Sequence, residues 1–126
     1  MYAAQMEAYR TVQKTTMSGR ELEASVLTKG ALLLQQCQNS WDDSNRDAQL
    51  ADAVKYNQTI WSVFQCELAK PDNPLPKKLR QDILSLSLFV DKRLFEIMTS
   101  PAPEKLNIII NINLNLAAGL RSNTGQ

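Results

Sequence analysis

Apolar residues recur along most of this chain at steps of three and four, the spacing that lines one face of an α-helix. Leu22, Val26, Gly30, Leu33, Cys37 and Trp41 form one such stripe, widened by Leu27, Ala31 and Leu34. It opens at Ser18-Gly19-Arg20-Glu21, a capping-box pattern in which hydroxyl and carboxylate each accept from the other residue's backbone N–H. A second stripe runs through Leu50, Ala53, Val54, Asn57, Ile60, Trp61, Phe64 and Leu68, giving a helix over roughly Arg46 to Ala69. The turn cluster Asp42-Asp43-Ser44-Asn45 before it offers several N-caps. Pro71-Asp72-Asn73-Pro74 ends it.

The next helix starts at Leu75-Pro76, with proline suited to the first helical position. Leu79, Ile83, Leu86, Val90, Leu94 and Ile97 form its stripe, widened by Phe89 and Met98, and it stops before Ser100-Pro101-Ala102-Pro103. The last stretch reads two ways. Ile110 to Leu116 alternates strictly between apolar and Asn, as in a half-buried strand. Leu106, Ile109, Ile110, Asn113, Leu116, Ala117 and Leu120 also share one helical face. The Pro103-Glu104-Lys105 start and Ala117-Ala118-Gly119 end favour helix, and a lone strand would have no partner. Near the N-terminus, Tyr2, Met6, Tyr9 and Val12 (or Gln13) mark a short helix up to about Thr16 with a thin apolar side. The expected architecture is all-α: a compact antiparallel bundle of four long helices preceded by one short N-terminal helix. The pattern places a single domain over 1–121 and a polar tail over 122–126.

Composition narrows the function. The 126 residues carry 14 Lys/Arg and 13 Asp/Glu, a net charge of +1. A near-neutral chain without a basic stripe argues against direct nucleic-acid binding, which draws on counterion release from phosphates. Histidine is absent, which removes the commonest general base and metal ligand. No Gly-rich phosphate loop and no G-x-S-x-G elbow occurs. The expectation is therefore a non-catalytic protein without metal or cofactor. Cys37 and Cys66 would lie roughly 24 Å apart along a helical hairpin, too far for a disulfide. Both are expected to be small core residues with free thiols. No apolar run approaches the ~20 residues of a membrane span, and the N-terminus lacks a signal-peptide pattern. A cytoplasmic location follows as an expectation.

Two polar residues interrupt apolar stripes. Asn57 sits between Val54 and Trp61, and Asn113 between Ile109 and Leu116. Each is either satisfied by an internal hydrogen bond or a polar contact on the floor of a binding groove. Trp61 and Phe64 lean to core, Tyr9 and Tyr56 to surface contact.

Asn57-x-x-Ile60-Trp61, then Asn73-Pro74-Leu75-Pro76-x-x-Leu79-Arg80-x-x-Ile83-x-Ser85-Leu86, then Ile112-Asn113 and Ala118-Gly119-Leu120 succeed one another in this order. With Ala8-Tyr9-x-x-Val12-Gln13 and Arg20-Glu21-x-Glu23-Ala24, the set resembles the FlaF flagellar regulators of alphaproteobacteria over nearly the whole chain. The family commonly has a charged residue after the Ile-Asn pair, where this chain has Leu114. The resemblance implies a role in flagellum biogenesis, with flagellin as partner and FlbT, a regulator of flagellin messenger RNA translation, as a second candidate partner. Some family members are thought to bind flagellin as a secretion chaperone. Flagellin ends are amphipathic and unfolded before assembly, and a small helical protein can hold such a segment in an apolar groove. On that reading Tyr9, Val12, Gln13, Tyr56, Asn57, Trp61 and Asn113 are the candidate partner-binding residues. The alternative is a post-transcriptional regulator of flagellin expression acting through FlbT or flagellin messenger RNA.

Overall fold

The computed structural model describes residues 19–122. The described part is all-helical. Four α-helices follow in order: α1 (Gly19–Asn39), α2 (Arg46–Ala69), α3 (Lys77–Thr99) and α4 (Asn107–Ser122), the last preceded by a 3-10 turn over Pro103–Leu106. The short helix expected before Thr16, the Ser18 cap and the last four residues lie outside the described residues.

Hydrogen bonds between helices fix how neighbours run. Ser40 pairs with Gln49 near the α1–α2 turn, while Tyr56 reaches Val26 further along, so α2 returns along α1. Gln65 meets Asp91 and Lys70 meets Arg80, so α3 returns along α2. Gln38 holds the start of the last helix through Pro103 O and Asn107 Oδ1, while Arg121 reaches Thr28, so α4 runs back along α1. α4 packs mainly on α1, although the two are far apart in sequence.

Each helix buries one stripe. Ala24, Leu27, Gly30, Ala31, Leu34 and Cys37 are the buried residues of α1. The centre of that stripe is rotated from the predicted one: Leu22, Val26 and Leu33 are half-buried flanks. α1 ends at Asn39, and Trp41 lies in the following turn, its ring capped by the Arg46 guanidinium at 4.4 Å. That turn is closed by backbone bonds from Asp43 N to Ser40 O and from Arg46 N to Asp43 O, with no side-chain cap from Asn45. α2 has the predicted bounds. Pro76 precedes α3 at the N-cap, with extended ψ of 144°. Asn73 braces the loop before it, accepting from Leu75 N at 3.0 Å and donating to Glu67 O at 3.1 Å.

The alternating stretch is helical. Leu106, Ile109, Ile110, Asn113, Ala117 and Leu120 are buried at three- and four-residue steps, while Asn111 and Asn115 face out. Asn alternating with Ile and Leu matches a strand only until burial is counted on all sides: Ile112, Leu114 and Leu116 are half-buried flanks of a broad apolar face.

Candidate functional site

Three buried polar side chains mark where α1, α2 and α4 meet. Asn57 and Asn113 are both 0% exposed, as is Trp61. Asn57 Nδ2 donates to Ala53 O at 2.9 Å and to Gly30 O at 3.2 Å. Asn113 Nδ2 donates to Asn57 Oδ1 at 2.7 Å and to Leu27 O at 3.2 Å. Trp61 Nε1 donates to Asn113 Oδ1 at 3.1 Å. Every donor and both amide oxygens of the group have a partner, which removes the desolvation penalty of burying them. The two carbonyls of α1 are accepting a second bond beyond the helix, through their spare lone pairs.

Gly30 makes this cluster possible. A Cβ placed there would stand 2.5 Å from Asn57 Oδ1 and 2.9 Å from Asn113 Nδ2. Both atoms are locked in the hydrogen bonds above, so neither can swing aside. The glycine on the α1 stripe therefore marks a close approach of side-chain amides to helix backbone.

These positions decide how the candidate partner-binding residues stand. Asn57, Trp61 and Asn113 are enclosed and saturated by one another, so they present no surface to a guest, and the groove they were expected to floor is filled by their own side chains. Phe64 packs edge-on against Trp61 with centroids 5.9 Å apart. Tyr56 is half-buried on the α1–α2 flank, with its hydroxyl 3.3 Å from Val26 O and Lys29 Nζ 5.3 Å from its ring centroid. Burial pushes the Tyr56 hydroxyl pKa above its usual value. Tyr9, Val12 and Gln13 lie outside the described residues.

One apolar cleft lies at the end of the bundle where α1 starts, among Phe64, Leu68, Leu75, Ile83, Leu116 and Leu120, with Glu23 at its rim. Its volume is about 10 Å³, room for a single water and for no peptide. Glu23 is half-buried there. Burial first, and Glu67 second, raise its carboxyl pKa, against a smaller opposing pull from Arg20. Among the described residues no group of His, Cys, Asp and Glu has the makings of a metal site.

Exposed large apolar side chains include Leu32 on α1, Val63 on α2 and Ile108 on α4, and they are most numerous on the outer side of α3. Leu88 is 70% exposed and Phe95 67%, the two highest values among the exposed large apolar side chains of the described residues. Seven residues apart, they project within roughly 20° of each other around the axis. Phe89 and Met98, expected to widen the buried stripe, are also exposed. The helix buries Ile83, Ser87, Val90, Leu94 and Ile97 instead, with Leu79, Leu84 and Leu86 packed half-buried beside them. Leu88 and Phe95 were missed because attention to the inward stripe treats the remaining positions as solvent. Their signal was apolar identity on the polar side of a helix.

Cys37 is buried and Cys66 exposed, so the expectation that both thiols are core residues holds for the first only. Cys66 falls on the solvent side of α2, between Gln65 and Glu67.

The sequence model of the family described as flagellar protein FlaF matches residues 5–120. The chain belongs to the FlaF family. The match takes in all four helices and both asparagines of the amide cluster, so the cluster belongs to the part of the chain the family defines. No curated protein and no solved structure matches the chain. Within this FlaF-family chain, no described helix is long and apolar enough to cross a membrane.

Proposed function

We propose that this FlaF-family protein is a non-catalytic cytoplasmic factor of flagellum biogenesis that binds flagellin and thereby regulates its synthesis and secretion. The observation that carries the proposal is the outer face of α3, where Leu88 and Phe95 stand exposed about two helical turns apart on one side of a well-packed helix. Membership of a flagellar protein family supplies the setting. An amphipathic segment of flagellin laid along α3 covers these side chains with its own apolar stripe, by helix-to-helix recognition. The guest sits on the surface of the helical core, not within it, because the amide cluster and Trp61 fill the interior.

The test is a titration of the purified protein with flagellin terminal peptides, alongside separate titrations with FlbT and flagellin leader RNA. Leu88→Ser combined with Phe95→Ser is expected to weaken peptide binding at least tenfold with unchanged helical circular dichroism, since hot-spot residues of this size each contribute about 1–2 kcal/mol or more. Wild-type protein that ignores flagellin but binds FlbT or RNA overturns the proposal. A folded double variant that binds as tightly as wild type moves the contact away from α3.

A further inference from the structure

Close packing in the bundle runs from α4 to α1, from α1 to α2 and from α2 to α3, and no comparable packing joins α3 to α4. That open side carries an apolar groove. Arg80 and Asp91 mark the flank of α3 that meets α2, through Lys70 O and Gln65 Nε2. Leu86 and Phe89 fall on the other flank, together with Glu96, whose Oε2 is 3.6 Å from Lys105 Nζ. On α4, Asn107 and Arg121 mark the flank bonded to α1. Ile108, Ile112 and Leu116 recur at four-residue steps on the opposite flank, and Leu116 lines the same small cleft as Ile83 of α3. Phe89 and Ile108 are exposed, while Leu86, Ile112 and Leu116 are half-buried. Lys105, bonded to Ser100 O at 2.7 Å, closes the far end.

We infer that the groove between α3 and α4 is covered by the chain's own N-terminal segment, residues 1–18. The chain enters α1 at Gly19, one turn before Glu23, and Glu23 stands at the rim of the cleft at the near end of the groove. The segment therefore reaches the groove at its open end. It carries Tyr2, Met6, Tyr9 and Val12 at helical spacing, a single thin apolar stripe that suits a narrow groove. Laid back from Gly19 at 1.5 Å per residue, Tyr9 stands roughly 15 Å along and Met6 roughly 20 Å. On α4, Ile112 and Ile108 stand roughly 12 Å and 18 Å from Leu120, which lines the same cleft as Glu23. The stripe and the isoleucines come level. A segment joined to the groove by so short a connection has an effective concentration in the millimolar range, which favours it over any free occupant. The family match begins at residue 5, so most of the segment belongs to the part of the chain the family defines. Leu88 and Phe95 lean to the α2 side of α3 and stay uncovered, so the inference does not rest on flagellin binding there.

Thiol labelling of the full chain, without flagellin, tests it. Ile108→Cys, or Leu88→Cys as a control, is introduced together with Cys66→Ser, which leaves only the buried Cys37 besides the new thiol. Maleimide labelling of the folded protein is followed over a range of protein concentrations. Adding Met6→Ser with Tyr9→Ser is expected to speed labelling of the Ile108→Cys variant at least tenfold and to leave that of the Leu88→Cys variant unchanged. Met6→Leu with Tyr9→Phe keeps the stripe apolar and should preserve the slow rate. Circular dichroism of each variant checks that the helices persist. An Ile108→Cys thiol that reacts equally fast with either N-terminal sequence overturns the inference. Protection that deepens with protein concentration also overturns it, and assigns the groove to a second copy of the chain. Protection that arises only when a flagellin terminal peptide is added overturns it too, and assigns the groove to that peptide. Failure of flagellin to bind in the separate titration leaves this result standing.

Discussion

Trp61 on α2 gives its indole N–H to Asn113 Oδ1 on α4 at 3.1 Å, with both side chains fully enclosed. That bond links two helices through residues 52 apart in the chain. Trp61→Phe keeps an aromatic ring but removes the donor and leaves unfilled volume. An unsatisfied buried acceptor costs about 1–3 kcal/mol, and the lost packing adds to it. The expected destabilisation is about 2–4 kcal/mol, read as a lower midpoint of chemical denaturation with the native helical signal retained before the transition.

Gly30 and Gly119 make a matched pair, since both lie inside helices. A methyl at Gly119 meets nothing within 4 Å, whereas one at Gly30 falls on the bonded amides of Asn57 and Asn113. Gly119→Ala is expected to stabilise by about 0.5–1 kcal/mol through helix propensity. The same change at Gly30 gains that amount but overpacks the core and displaces the cluster, a cost of about 1–3 kcal/mol for each effect. Thermal melting of the two variants should move in opposite directions, with Gly30→Ala the lower.

Glu23 gives a pH dependence with a defined sign. Its folded carboxyl pKa is raised above the ordinary 4.5, chiefly by burial. The folded state therefore holds this proton more tightly than the unfolded chain, and stability falls as pH climbs from about 4.5 through the raised value. Glu23→Gln removes the ionisation while keeping the shape. It should stabilise the protein at neutral pH, with the gain fading as the pH is lowered below the ordinary carboxyl value. A variant that is no more stable than wild type in neutral urea titrations contradicts this.

The two thiols should separate in a labelling experiment. Cys66 is exposed, while Cys37 is 2% exposed and its thiol pKa is raised by burial and by Asp52. Near neutral pH one equivalent of thiol reagent should react promptly and the second only on unfolding. Peptide mapping should place the early label on Cys66.

Much of the helical layout was legible because packing and periodicity agreed. α2 has its predicted bounds, and Pro103 and the burial pattern of α4 resolve the alternating Asn segment as helix. The stripe of α1 was centred one step off because Val26 and Leu33 are as apolar as Leu27 and Leu34, and only the position of α4 decides which set is enclosed. The sequence marked Asn57 and Asn113 as unusual but could not say that they meet, since that depends on the relative register of α2 and α4 across α1. Gly30 stood on the α1 stripe with nothing in the sequence to mark the close approach of the Asn57 and Asn113 amides beside it. The exposed pair on α3 lay off the inward stripe, among positions that periodicity alone assigns to solvent.

The amide cluster also bears on the order of synthesis. A nascent chain presents Gly30 and Asn57 to the cytosol well before Asn113 leaves the ribosome. Until then the Trp61 indole N–H and the Asn57 carboxamide oxygen lack the partner that Asn113 supplies, and the flank of α1 that α4 covers has no neighbour. The core closes in one late event when the last helix arrives, and a chain stopped short of that helix stays a substrate for chaperones and proteases.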